Sequence, residues 1–346
     1  MKRVIGILFF ILILTLAYTL LNFYVLASIG AGNIWLTLFV SAVLPIAMIG
    51  EQKFPSSFSR ILYVFSMTWL GIILLMFWTT LIVDFFKIFI YIPPNMEGAA
   101  YLVALFIGLF SIFNSARIKI KYVDIPLEVP CEVTLVQLSD LHIGSIRGES
   151  FLEKIKDKVN GIGADAVLIT GDLADGSSPI NNSTLKPLEE INAPIFFVSG
   201  NHDVYADRKK VYHLLESVGV TILDNRCIEF RGLQLVGVGY YMQRGILGVL
   251  LEQVEFRRDL PTILLHHLPT EWDTAQRWGV DIQLSGHTHG GQFYPFNFIV
   301  RWMFPYFSGL YENSGSYLYV SAGTGTWGPP MRLGSSNEIV VFRLRP

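Results

Sequence analysis

Charge is absent from three long stretches of this chain: residues 4–50, 61–83 and 98–116 contain no Asp, Glu, Lys or Arg. A helix needs about 20 apolar residues to cross the hydrocarbon core of a bilayer. The pattern therefore predicts four spans, at about 4–29, 33–50, 61–83 and 98–116, the first two joined by a Gly30-Ala31-Gly32-Asn33 turn. The segment 84–97 holds Asp84, Lys87, Pro93, Pro94 and Glu97 and predicts a loop with an aromatic, interfacial start. From Lys121 onward the pattern changes to short β-type runs at 133–138, 166–170, 195–199, 233–237, 262–266, 281–285, 316–321 and 338–343. Helical periodicity separates some of them, at 151–159, 209–218 and 247–257. Alternating strands and helices predict a layered α/β domain. The domains expected are 1–120, helical and membrane-embedded, and 125–346, with 117–130 as the nearest thing to a linker.

Lysine and arginine placement gives an orientation. Lys2, Arg3, Lys53, Arg60, Arg117, Lys119 and Lys121 fall on one side of the four spans, against Lys87 on the other. The positive-inside rule places the first group, and with it the C-terminal domain, in the cytoplasm of a multi-pass protein of the cytoplasmic (inner) membrane. The first span is too long, and too soon followed by another, for a cleaved signal peptide.

Composition excludes other classes. The net charge is −2, so no basic face for nucleic acid is expected. Two cysteines, Cys131 and Cys227, are too few for a disulfide framework and read as buried or half-buried thiols. Neither a P-loop nor a Gly-x-Ser-x-Gly elbow is present. The spans are nearly free of the intramembrane charges that mark transport paths.

Polar residues gather just after the β-type runs, where α/β sheets place ligand sites. The clusters are Asp140-Leu141-His142, Gly171-Asp172-Leu173-Ala174-Asp175, Gly200-Asn201-His202-Asp203, His266-His267-Leu268-Pro269, and Gly286-His287-Thr288-His289-Gly290-Gly291-Gln292. Taken singly, Gly-Asp is a common turn and Asn-His-Asp a common helix cap. Five clusters of metal-capable residues in one domain are not explained that way.

In this order the motifs resemble those of the calcineurin-like metallophosphoesterases, over about residues 130–346. The Gly-His-Thr-His-Gly-Gly-Gln run and the stretch Gly323–Gly334 look like the membrane-associated bacterial branch. The resemblance implies a four-layer α-β-β-α sandwich behind the bundle of about four transmembrane helices. It implies two divalent metal ions, of Mn, Fe or Zn type for a mixed oxygen and imidazole shell. Carried over by motif, Asp140, His142 and His289 would hold one metal, Asn201, His267 and His287 the other, and Asp172 would bridge them. His202 would meet the phosphate and help protonate the leaving oxygen, with Asp203 orienting its ring. His267 rather than His266 matches the family's His-x-Pro ligand. His266 then serves the core or supports a ligand, and Asp175 either bonds a ligand or caps a turn. His213 reads as structural or surface.

The chemistry fits the residue types. A phosphodiester repels anionic nucleophiles, and two divalent ions neutralise it and acidify water. The expected activity is hydrolysis of a phosphodiester or pyrophosphate bond at the membrane, in a phosphoester or lipid-pyrophosphate substrate. The resemblance suggests a nucleotide-linked lipid such as UDP-diacylglucosamine. A tethered phosphatase or cyclic-nucleotide diesterase, or a non-catalytic metal-binding sensor, is the alternative. The aromatic run 293–311, with Arg301 inside it, is either a loop packed on the sheet or an interfacial element resting on the bilayer.

Overall fold

The computed structural model describes residues 2–243 and 245–345, with side chains in the first helix at Phe9 and from Ile11 onward. Lys2 and Arg3, which enter the orientation argument, lie outside the described side chains. The chain forms two units, Met1–Phe113 with Gly328–Met331, and Asn114–Trp327 with Arg332–Pro346.

The first unit is built on α1 (Lys2–Ser28), α2 (Ile34–Lys53), α3 (Ser57–Lys87) and α4 (Pro94–Ser115). All four are long and apolar enough to cross a membrane. Local chemistry sets their starts. The Asn33 side chain accepts from the Trp35 and Leu36 amides, and Ser56 and Ser59 form a reciprocal cap on α3. The expected loop at 84–97 is corrected in its first part, because Asp84–Lys87 continue α3. Nothing in that stretch breaks a helix before the Pro93-Pro94 pair. Polar side chains inside the unit find partners: Trp69 donates to Asn22 (2.9 Å) and Tyr101 to Ser28 (2.9 Å).

The second unit holds β1 (Ile118–Pro126), β2 (Val133–Leu138), β3 (Ala166–Thr170), β4 (Ile195–Val198), β5 (Thr221–Ile222) and β6 (Arg226–Phe230). They are followed by β7 (Leu233–Val238), β8 (Thr262–His266), β9 (Ile282–Ser285), β10 (Gly309–Asn313), β11 (Ser316–Val320) and β12 (Asn337–Arg345). Two mixed sheets result, in the orders β1-β12-β2-β3-β4-β5 and β10-β11-β9-β8-β7-β6. In the first, β2, β3, β4 and β5 run parallel; in the second, β7, β8, β9 and β11 do.

Side-chain alternation makes the layers. Val133 and Leu135 of β2 enter a core shared with Leu235, Ile263 and Leu265 of the other sheet. Val136 and Leu138 point the other way, onto the helices Glu149–Ile162 and Arg208–Ser217. The outer face of the second sheet packs on Leu247–Glu252 and Ala275. Burial on both faces explains why the inner strands are predominantly apolar. The expected linker 117–130 is corrected: β1 occupies most of it, paired in parallel with β12 along its length. Cys131 is exposed rather than buried, and Cys227 is half-buried on β6.

Between the sheets, Tyr319 meets Phe342 edge-on at 5.2 Å and donates to Glu338 at 3.0 Å. Phe342→Ala should cost about 3–5 kcal/mol of stability through the cavity it leaves, read as a lowered midpoint in denaturant titration of the detergent-solubilised protein.

Candidate metal centre

The C-terminal ends of β2, β3 and β4 from one sheet and of β8 and β9 from the other deliver the five polar clusters to one place. Main-chain bonds join the loops: Asp140 N to Gly171 O (3.0 Å), His142 N to Asp172 O (3.0 Å) and Gly286 N to His267 O (2.9 Å). Five of the side chains concerned sit on left-handed backbone: Asp140 (φ 53°), His142 (47°), Asp172 (52°), His287 (73°) and His289 (52°). Each such non-glycine residue costs about 1–2 kcal/mol, and strain of this kind gathers at functional sites.

All seven residues expected to hold metal come together. Asp140, His142 and His289 form one group of converging ligand atoms, and Asp172, His267 and His287 another. In the first, His142 Nε2 faces His289 Nε2 at 3.0 Å, and His289 Nε2 lies 3.4 Å from Asp140 Oδ1. In the second, His267 Nε2 lies 3.3 Å from His287 Nδ1 and 3.2 Å from Asn201 Oδ1. Asp172 Oδ2 stands between the groups, 3.2 Å from His267 Nε2 and 3.9 Å from His142 Nε2. His287 and His289 reach different groups because the loop turns through His287 between them.

Two glycines keep this space open. A Cβ at Gly200 would fall on the Asp172 carboxylate, and one at Gly286 on Ser139 Oγ and Asp140 Oδ2. The ligands themselves are held from outside. Ser139 Oγ (2.6 Å) and the His287 amide (3.0 Å) donate to Asp140, and the His202 amide (2.8 Å) donates to Asp172 Oδ1. His267 Nδ1 meets the Thr170 carbonyl at 2.8 Å, which leaves Nε2 facing inward.

Burial dominates the electrostatics. It raises the Asp140 carboxyl. It opposes ionisation of Asp172 as well, but the charge and hydrogen bond of His267 outweigh it and hold Asp172 well below the usual range. Burial disfavours a charged His267, yet Asp172 and then Asp140 push it up to about 9. Burial takes His287 down to about 3 and His289 well below its ordinary value, so both keep free lone pairs. Imidazole nitrogens and carboxylate oxygens that converge in this way could hold a metal ion. This donor set, without sulfur, fits divalent ions of the Mn, Fe or Zn type.

Other expectations resolve differently. Asp203 does not reach the His202 ring. It is fully buried and accepts from the amides of Ala174 (2.9 Å) and Gly200 (2.8 Å), tying the β3 and β4 loops together. The His202 Nδ1 instead faces the Asp175 carbonyl at 3.1 Å. The carboxylate of Asp175 faces His142 Nδ1 at 3.5 Å, so this acid supports a ligand. His266 is buried on the far side of β8, and burial lowers it to about 3. His213 is exposed.

Two residues escaped the motif reading. Arg332, fully buried, donates to the carbonyls of His289 (2.6 Å) and Gly325 (2.6 Å). Trp327 meets the His202 ring edge-on at 5.7 Å and is fixed by reciprocal bonds with the Gln292 amide. Both lie in the glycine-rich stretch 323–334, whose composition was the one available signal.

Groups of His and Asp side chains able to hold metal, at the strand ends of a two-sheet sandwich, are the arrangement of a metal-dependent phosphoester hydrolase. The family model for calcineurin-like phosphoesterases matches residues 133–291. A metallophosphoesterase of Helicobacter pylori is 32% identical over 346 residues, covering 95% of this chain and 90% of its own. One from Campylobacter jejuni is 32% identical over 259 residues, 72% of this chain and 69% of its own. A transmembrane protein with metallophosphoesterase domain from Danio rerio is 34% identical over 277 residues, 71% of this chain and 62% of its own. Among solved structures, a dimetal phosphatase from Danio rerio aligns with TM-score 0.35 at 12% identity, over 55% of this chain and 87% of its own. The chain belongs to the calcineurin-like phosphoesterase family.

Asp172 and then Asp140 push His267 up to about 9, so the ligand role expected of it would require the loss of a proton. Calorimetric metal titrations at about pH 7.5, in buffers of differing ionisation enthalpy, should return about one proton or more released per protein. No release would mean that His267 is already neutral.

Proposed function

We propose that this protein hydrolyses phosphodiester or pyrophosphate bonds at the cytoplasmic face of the inner membrane. The observation that carries the reading is Asp172 Oδ2 between two imidazole-rich ligand groups. In this assignment Asp140, His142 and His289 would hold one divalent ion and Asn201, His267 and His287 the other, with Asp172 serving both. Such ions would supply neutralisation of the phosphate charge and a water acidified toward neutral pH.

The chain's own residues do the rest. His202 is half-buried at the rim, and its backbone amide, not its ring, bonds Asp172. With Nδ1–H donating to the Asp175 carbonyl, Nε2 is the nitrogen left to meet a phosphoryl or leaving oxygen. Trp327 and Tyr205 flank the ring and limit its rotation. The Asp203 carboxylate holds the turn that presents Asn201 and His202. A nucleotide-linked lipid such as UDP-diacylglucosamine is the narrower substrate reading, motivated by the four helices long enough to span a bilayer.

Activity on a chromogenic phosphodiester should require added divalent metal, with Mn²⁺ tried first. Asp172→Ala should abolish it together with metal binding. His202→Ala should lower kcat by about 10²–10⁴-fold while metal content by mass spectrometry stays at the wild-type level. Metal-replete protein inactive on both diester and lipid pyrophosphate would favour a sensor.

Cys131 supplies a topology test, since it is exposed in the catalytic unit. In spheroplasts, an impermeant maleimide should label it only after permeabilisation, with Cys131→Ser as control. Labelling of intact cells would place the domain outside.

A further inference from the structure

The helix Phe296–Met303 begins five residues after the metal-loop turn His289–Gly291 and is fastened to it. Asn297 is buried and donates to the Gly290 carbonyl at 2.9 Å. Just past the helix, Phe304 packs edge-on against the His287 ring at 5.3 Å. One side of the helix is thus part of the metal centre's wall.

Its other side faces solvent with a run of large apolar groups. Phe298 is 66% exposed, Ile299 47%, Trp302 87% and Met303 56%. Spaced i, i+1, i+4 and i+5, they form one stripe. Tyr294 extends it, its ring 5.4 Å from that of Phe298. Arg301 lies alongside, exposed, with its guanidinium 5.1 Å from the Phe307 ring. A contiguous apolar face of this kind on a water-exposed surface marks something that covers it.

We propose that this face seats in the headgroup–acyl boundary of the bilayer, so that the metal centre receives the phosphoester headgroup of an amphiphile lying in that layer. The inference rests on the phosphoesterase reading of the site. A bilayer is the occupant because the chain brings its own, through four helices long enough to span one. Tryptophan and tyrosine beside aliphatic side chains and an arginine suit that boundary, where a ring's apolar body and polar edge are both satisfied. The tether through Asn297 sets the stripe and the ligand loop on one short piece of chain.

The test uses the full-length protein in phosphatidylcholine vesicles containing phosphatidylglycerol, some prepared with brominated acyl chains. Subtracting the emission of Trp302→Phe from that of wild type isolates Trp302 among the seven tryptophans. Bromination should quench that difference signal about twofold or more. In the same vesicles, Phe298→Ser/Trp302→Ser should keep hydrolysis of soluble bis(p-nitrophenyl) phosphate near wild type. It should lose about tenfold on dioleoylphosphatidyl-p-nitrophenol, the equivalent of removing one or two buried apolar side chains. An unquenched Trp302 overturns the proposal. So does a concentration-dependent Trp302 shift in lipid-free detergent, which would mean that a second copy covers the face. Equal losses on both substrates overturn the delivery role. A quenched Trp302 in a protein without metal-dependent activity on either probe would sink the phosphoesterase reading and leave the membrane seat standing.

Discussion

The contact between Asp172 and His267 joins the two sheets at the centre of the site. Asp172 leaves β3 of the first sheet and His267 leaves β8 of the second, and they meet at 3.2 Å with almost no exposure. Neither group would be tolerable there alone, since a buried unpaired charge is far more costly than a single hydrogen bond repays. Together they form an ion pair. The sandwich core of Leu135, Leu235 and Ile263 sets how closely the sheets approach. That spacing sets the distance between the ligand groups.

Backbone strain follows from the same convergence. Ligands from five loops must turn inward within a residue or two of their strands, and left-handed backbone is the sharpest turn available. Asp140, His142, Asp172, His287 and His289 all use it. The loops hold these conformations because they hydrogen-bond to one another, and because Gly200 and Gly286 leave no Cβ in the way. The arrangement is therefore costly in isolation and is maintained by the packed domain around it.

What could be read from sequence divides along physical lines. The eight β-type runs seen in the sequence are the eight interior strands, buried on both faces and so predominantly apolar. The strands not foreseen, β1, β5, β6 and β10, are the four sheet edges. There the strands are more exposed, and in β1 charged residues alternate with apolar ones. Lys119 and Lys121 made β1 look like a linker, although Ile118 and Ile120 pack on the core. The ligand residues were legible because each cluster is contiguous in the chain. Asp203 was misread because its neighbour in sequence, His202, points elsewhere, and its real partners are main-chain amides of two loops. Arg332 could not be found, since its contacts with His289 span 43 positions.

Arg332 also bears on the charge of the site. The carboxyl groups at or beside the ligands are those of Asp140, Asp172, Asp175 and Asp203, and two divalent ions would balance all four if ionised. Burial and then the Asp172 charge raise Asp203 to about 7. Arg332 adds a further full charge, fully buried, and spends its donors on the carbonyls of His289 and Gly325 and on Asn337. Guanidinium is the cation suited to this position, because its planar fork satisfies several carbonyls at once and keeps its charge when buried.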